Sequence, residues 1–258
     1  MLKKVLLRAG TVVVGLCVVA GGAYAVKTLL DGDGETEAVS SAPLRVTALA
    51  PGTFAAAHPF APYYVVPRTR FASPSDLTRA ARNNLLTKPA SALTKGAMAG
   101  SPQIVRLSLR ATSDDPVTVE AVRFKVVSDA APLRGWYTAL RNCAVEPVRR
   151  ARLSLDSERG GVRYLGPDDA ASETLGLKVE RGAPQILELQ AATSEHRVAW
   201  TAELSLRDED GNASSVVVDD DGDPFRVTSR SDAEVYRPIY GASGIIGYSR
   251  ARTVADCE

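Results

Sequence analysis

Residues 104–127, IVRLSLRATSDDPVTVEAVRFKVV, decide the fold. The first half places Val105, Leu107, Leu109 and Ala111 on one face and Arg106, Ser108 and Arg110 on the other, the period of two of a half-buried strand. Asp114-Asp115-Pro116 turns the chain. In the second run the apolar parity slips from Val117, Val119 and Ala121 to Val122, Phe124 and Val126, for which a bulge or bend near Ala121 is the expected cause. Downstream, strands are predicted at 151–155, 175–179, 187–191, 198–206, 214–218 and 225–228, with Trp200 in the most regular of them. Short strands separated by Gly, Pro and Asp turns, with little helical periodicity, predict a mainly β fold, an antiparallel immunoglobulin-like β-sandwich. A parallel sheet would need crossover helices. Leu107, Leu109, Phe124, Val126, Trp200 and Leu204 are the expected core.

Upstream the pattern changes. Residues 43–103 form a Pro-rich, partly irregular lead-in, with a short strand at 44–49 and seven prolines from Pro51 onward. One short helix is predicted there, because Ser73 suits the N-cap, Pro74 N1 and Asp76 N3, and Leu77, Ala81 and Leu85 recur at helical spacing. Residues 31–42, DGDGETEAVSSA, are acidic, small and nearly free of apolar side chains, the composition of a flexible linker. Before it, Lys3, Lys4 and Arg8 precede eighteen residues without a charge, Ala9 to Val26. At about 1.5 Å per residue such a run crosses most of a bilayer's hydrocarbon core of about 30 Å, and the basic flank sets the N-terminus inside. Residues 1–30 therefore read as an N-terminal transmembrane anchor. A secretory signal cleaved after Ala23-Tyr24-Ala25 is the alternative, although the apolar run continues to Val26 and Lys27 suits a helix end. Both readings export residues 104–258, the predicted sandwich domain. Cys17 follows Leu16, whereas a lipidated cysteine follows a small residue, so it reads as an ordinary apolar helix position.

Composition narrows the function classes. Setting aside Lys3, Lys4, Arg8 and Lys27 leaves 27 of the 31 basic residues against 30 acidic ones, a balance that argues against general nucleic-acid binding. His58 and His196 are the only histidines, and neither sits in a recognised ligand or triad spacing. Gly241-Ala242-Ser243-Gly244 lacks the nucleophile-elbow pattern and reads as a turn, and Ser91 and Lys95 are one residue too far apart for S-x-x-K. No catalytic residue and no cofactor is expected. Two acidic turns contain weak calcium candidates, Asp208 and Asp210 in the first and Asp219, Asp221 and Asp223 in the second. Asp-Gly is equally a common turn dipeptide, and neither segment completes a calcium loop. Arg68, Arg70, Arg79 and Arg82 lie in a basic, aromatic segment that contacts an anionic surface, pairs with the acidic turns or is simply solvated. Cys143 and Cys257 are the only cysteines outside the apolar run, a candidate disulfide in an oxidising compartment; the alternative is a buried Cys143 and a free terminal thiol.

The order VVPRT at 65–69, the stretch at 104–127, APLRG at 131–135, Cys143, and WTAELSL at 200–206 leading to DDDGDPFRVTS at 219–229 resembles a group of uncharacterised actinobacterial membrane-anchored proteins. The resemblance implies a transmembrane helix followed by an extracytoplasmic β-sandwich, and no activity. Some relatives carry a cytoplasmic helix-turn-helix domain, which does not carry over here, and Glu195-His196-Arg197 stands where relatives often have cysteine. The expected function is a membrane-tethered extracytoplasmic binding module facing an envelope polymer or a protein partner; the alternative is an envelope hydrolase with an atypical site. The expected location is the cell membrane, single-pass. Cell fractionation checks this: the full-length chain is expected in the membrane pellet, and a soluble form beginning at Val26 is the contrary outcome.

Overall fold

Alternation along the decisive stretch becomes alternation in burial. In β4 (Gln103–Ala111), Val105, Leu107, Leu109 and Ala111 are buried, and in β12 (Arg197–Arg207), Val198, Trp200, Ala202, Leu204 and Leu206 are buried. The computed structural model describes residues 43–49, 63–82, 96–139, 148–156, 161–241 and 244–251. The anchor expected at 1–30, the linker at 31–42, and Cys143 and Cys257 lie outside the described residues. Among the described residues no helix is long and apolar enough to cross a membrane.

Among the described residues one sheet has six strands, in the order β1 (Leu44–Leu49), β4, β11 (Gln185–Ala192), β7 (Arg149–Ser154), β8 (Gly161–Leu165), β9 (Ala171–Ser172). The other has ten and begins β10 (Leu177–Val179), β5 (Val117–Ala130), β12, β14 (Phe225–Thr228), β3 (Met98–Gly100). It continues through β2 (Tyr63–Pro67), β6 (Gly135–Ala139), β15 (Ala233–Gly241) and β16 (Gly244–Arg250), with β13 (Ala213–Val218) beside β12. Inward residues of both sheets make one apolar core in which Leu107, Leu109, Leu153, Leu187, Leu189, Trp200 and Leu204 are wholly buried. Trp200 packs on Phe225 at 4.9 Å between ring centroids, and its indole N–H donates to Gln103 Oε1 of the facing sheet at 2.9 Å. That bond satisfies the one polar atom such a residue brings inside.

The bulge expected near Ala121 is present. Ser205 pairs with Ala121 and Leu206 with Val119, so Glu120 is the extra residue; the bend turns it to the surface, where Arg207 Nη2 donates to Glu120 Oε2 at 3.2 Å. A second irregularity opposite Ala199 and Trp200 leaves Val127 unpaired. Val126, expected in the core, is 38% exposed, because β5 runs on past the cover of the facing sheet, and Phe124 is half-buried. Beyond Val119 the outer edge of β5 has no strand beside it among the described residues. The Val122 N–H on that edge donates to the Tyr164 hydroxyl at 3.1 Å, and exposed Arg123 and Lys125 follow, features that discourage edge-to-edge pairing.

The sandwich is not purely antiparallel. β11 pairs parallel with β7, β14 with β3, and β15 with β6. The chain makes these crossovers with intervening strands instead of helices, as where β8, β9 and β10 separate β7 from β11. Residues of segment 43–103 enter both sheets, β1 in one and β2 and β3 in the other, which makes it integral to the fold. The helix among the described residues is α1 (Pro74–Arg82): Asp76 N–H donates to Ser73 Oγ at 3.2 Å and Ser73 N–H to Asp76 Oδ2 at 3.1 Å, the reciprocal cap the sequence indicates. Its buried Leu77 and Ala80 join Tyr64, Val66, Trp136, Tyr236 and Tyr248 in a second cluster. Gly135 has no substitute there, since a Cβ would lie 2.2 Å from the Val66 carbonyl oxygen.

These burial differences set a measurable contrast. Leu204→Ala is expected to destabilise by about 3 kcal/mol and Val126→Ala by under about 1 kcal/mol in urea unfolding; equal losses would contradict the placement of Leu204 inside the core and Val126 outside it.

Candidate groove on the outer face of the six-stranded sheet

The face of the six-stranded sheet turned away from the core carries polar residues by alternation, and register lines them up in rows across the strands. In the first row Arg106 (β4) faces Glu188 (β11), which faces Arg150 (β7). Arg106 Nε lies 3.1 Å and Arg150 Nε 3.5 Å from the two oxygens of Glu188, and Arg150 also pairs with Asp169 of the turn between β8 and β9. Glu188 is 0%, Arg106 1% and Arg150 2% exposed, so these charges are sustained by one another in a poorly hydrated setting.

The next row is Gln190, Arg152 and Arg163. Gln190 couples it to the first: its Nε2 donates to Glu188 Oε1 at 2.8 Å, and its Oε1 accepts from Arg152 Nε at 3.0 Å. Arg152 and Arg163 are direct cross-strand partners on β7 and β8, both exposed, and among the described residues no carboxylate pairs with either. Like charges directly opposite each other on antiparallel strands oppose pairing, so the fold bears a local cost here. Beyond them stand small residues, Ala192, Ser154 and Gly161, with Pro102 at the margin. Tall side chains beside small ones leave a groove of about 610 Å³, largely apolar apart from Gln190 and the two arginines.

A second polar cluster lies just past Ser154. Asp156 accepts from Thr193 Oγ1 at 2.6 Å, from the Ser194 N–H at 2.6 Å and from Ser194 Oγ at 2.7 Å, and His196 Nδ1 lies 3.5 Å away. Partial burial works to raise the Asp156 carboxyl, but the hydrogen bonds from Thr193, Ser194 and His196 together outweigh it and hold the group at about 2. The Ser194 hydroxyl donates to Asp156 and not to the imidazole. Asp156 therefore fastens the β11–β12 connection to the end of β7.

No family model, no curated protein and no solved structure matches this chain. Function must be argued from the side chains.

The residues singled out by sequence are placed as follows. Arg68 lies over the Trp136 ring at 4.5 Å and pairs with Glu234, which Arg250 also approaches at 3.8 Å. Arg79 pairs with Asp76 at 3.5 Å, Arg70 is exposed, and the Arg82 side chain lies outside the described residues. Arg68 and Arg79 are thus engaged with carboxylates of the fold. Asp208 accepts from the Asn212 N–H at 2.7 Å and its Nδ2 at 2.9 Å, bonds that hold its carboxyl below the usual range. Asp219 Oδ1 accepts from the Gly222 N–H at 2.9 Å, and Asp221 and Gly222 adopt φ of 57° and 95°, which a tight turn between Asp220 and Asp223 requires. Asp210, Asp221 and Asp223 are exposed turn residues, and among the described residues no three potential metal ligands converge.

Arg152, Arg163, Gln190, Asp156 and His196 as a partner of Asp156 escaped the sequence reading. The alternation Arg150-Ala151-Arg152-Leu153 was a usable signal for outward arginines. Their neighbours come from β8 and β11, and pairing order is not encoded locally.

The Asp156 cluster carries a pH signature. Its folded value of about 2 lies below the ordinary 3.8, so its stabilisation is complete above about pH 4 and is lost as pH falls through 2. Asp156→Asn is expected to cost about 1–2 kcal/mol near neutrality in urea unfolding, with the gap to wild type closing toward pH 2. A gap that stays constant over that range would contradict the assignment.

Proposed function

We propose that this chain is a membrane-tethered extracytoplasmic binding module that uses the outer face of its six-stranded sheet to hold an anionic component of the cell envelope. The sandwich acts as an immunoglobulin-like scaffold, and the N-terminal apolar run is its single-pass anchor. The observation that carries the reading is the in-register pair Arg152 and Arg163, which no carboxylate among the described residues compensates, beside an apolar groove. An anion seated there removes the cross-strand repulsion, so binding relieves a cost already present in the fold. Gln190 and Glu188 hold Arg152 in place before a ligand arrives, which lowers the entropy lost on binding.

The alternative, an envelope hydrolase, would rest on His196 beside an ionised Asp156. The direction of the Ser194 hydroxyl bond favours a structural tie between connections instead. The test uses the full-length chain in nanodiscs with fractionated envelope polymers. Wild type is expected to retain an anionic fraction, Arg152→Ser/Arg163→Ser to lose at least tenfold in affinity, and Arg70→Ser to retain it. Equal retention by wild type and the double variant would refute the reading, as would turnover of the polymer abolished by His196→Asn.

A further inference from the structure

We infer that Arg152 and Arg163 bind the dianionic phosphate of a monoester whose apolar body lies on the small-residue row beside them, a ligand class that rests on the binding reading of the same groove. The charge count comes first. The row of Glu188 is internally paired through Arg106, Arg150 and Asp169, whereas the row of Arg152 and Arg163 holds two cations and a neutral amide. One dianion neutralises both, while a carboxylate or a phosphodiester, each with a single charge, leaves an uncompensated arginine.

Geometry comes second. Directly opposed residues on antiparallel strands have Cβ atoms about 5 Å apart, so two guanidinium groups can reach one tetrahedral anion. Arg152 spends Nε on Gln190, which leaves its terminal Nη edge for a phosphate in the two-point contact that a planar guanidinium favours. Gln190 is thus a positioning residue for Arg152, with Glu188 behind it.

The floor supplies the third element. Ala192 and Gly161 flank Ser154, and the groove of about 610 Å³ exceeds what a bare phosphate fills, so its apolar part suits the alcohol portion of the ester. Gly161 is not demanded by the backbone: its φ is not positive, and a Cβ there would meet only Ser154 Cβ, at 3.8 Å. A side chain at 161 fills the floor without removing a charge.

The experiment is titration calorimetry on the full-length chain in nanodiscs of neutral lipid, with phenyl phosphate, inorganic phosphate, benzoate and dihexanoyl phosphatidic acid as probes and empty nanodiscs as the blank. Phenyl phosphate is expected to bind at least tenfold more tightly than inorganic phosphate or benzoate, and to weaken as the pH drops below about 6, where the dianion takes up a proton and becomes a monoanion. Arg163→Gln should weaken phenyl phosphate at least tenfold with an unfolding temperature close to wild type, and Gln190→Met should weaken it about threefold to fivefold while lowering the unfolding temperature, because the buried Glu188 loses a donor. Gly161→Val should reduce phenyl phosphate to the level of inorganic phosphate while leaving the latter unchanged. A tenfold preference for dihexanoyl phosphatidic acid over phenyl phosphate would assign the monoester to a lipid headgroup, and comparable affinities would assign it to a free ester. Benzoate binding as tightly as phenyl phosphate, or an Arg163→Gln variant with unchanged affinity, would overturn the inference. If envelope retention depends on Arg152 and Arg163 but no phosphate probe binds, this inference falls and the envelope reading stands; if phenyl phosphate binds as described and no polymer is retained, the reverse holds.

Discussion

Glu188 is the constraint on which the six-stranded sheet and its groove depend. A carboxylate with no exposed surface must have its charge matched where it sits, and here Arg106, Arg150 and Gln190 all address it. These three come from β4, β7 and β11 itself, so the charge match holds only when the strands lie in one register. A slip by one residue would turn Glu188 into the apolar core and a leucine out of it. The same carboxylate orients Gln190 and, through it, Arg152, which joins the register of the sheet to the chemistry of the groove.

The ten-stranded sheet solves a different problem. Its central strand β12 meets β5 along one side, while β13 and β14 share the other, with Ala202 opposite Val218 and Trp200 opposite Phe225. Residues 219–224 leave that shared line as an acidic turn. Concentrated carboxylates are tolerable there because the turn is largely exposed, and desolvation of Asp220 together with its acidic neighbours raises its carboxyl. Clustered aspartates in this chain are thus what an interrupted strand looks like in sequence.

The basic aromatic segment shows how tertiary contacts absorb an apparent surface feature. Arg68 belongs to a stretch with five more basic residues and one acidic one, yet in the fold it stacks on Trp136 and pairs with Glu234, far away in sequence. Arg152 and Arg163, with no carboxylate partner among the described residues, lie instead on β7 and β8, where the sequence shows a mixed composition. Charge density along a chain and charge density on a surface differ whenever strands from distant segments interleave.

The sequence by itself determined the mainly β character, the two faces of β4 and β12, the bulge in β5 and the cap of α1. Each follows from periods and signals spanning a few residues. It did not determine β2, β6, β15 and β16, whose Pro, Gly and aromatic residues follow no period of two, because they are strands by virtue of their neighbours. The exposure of Val126, the three parallel pairings and the union of Arg152, Arg163 and Gln190 were decided only in the tertiary structure. A strand's pattern records which side it buries; which strand lies beside it, and how far the cover extends, depends on the whole chain.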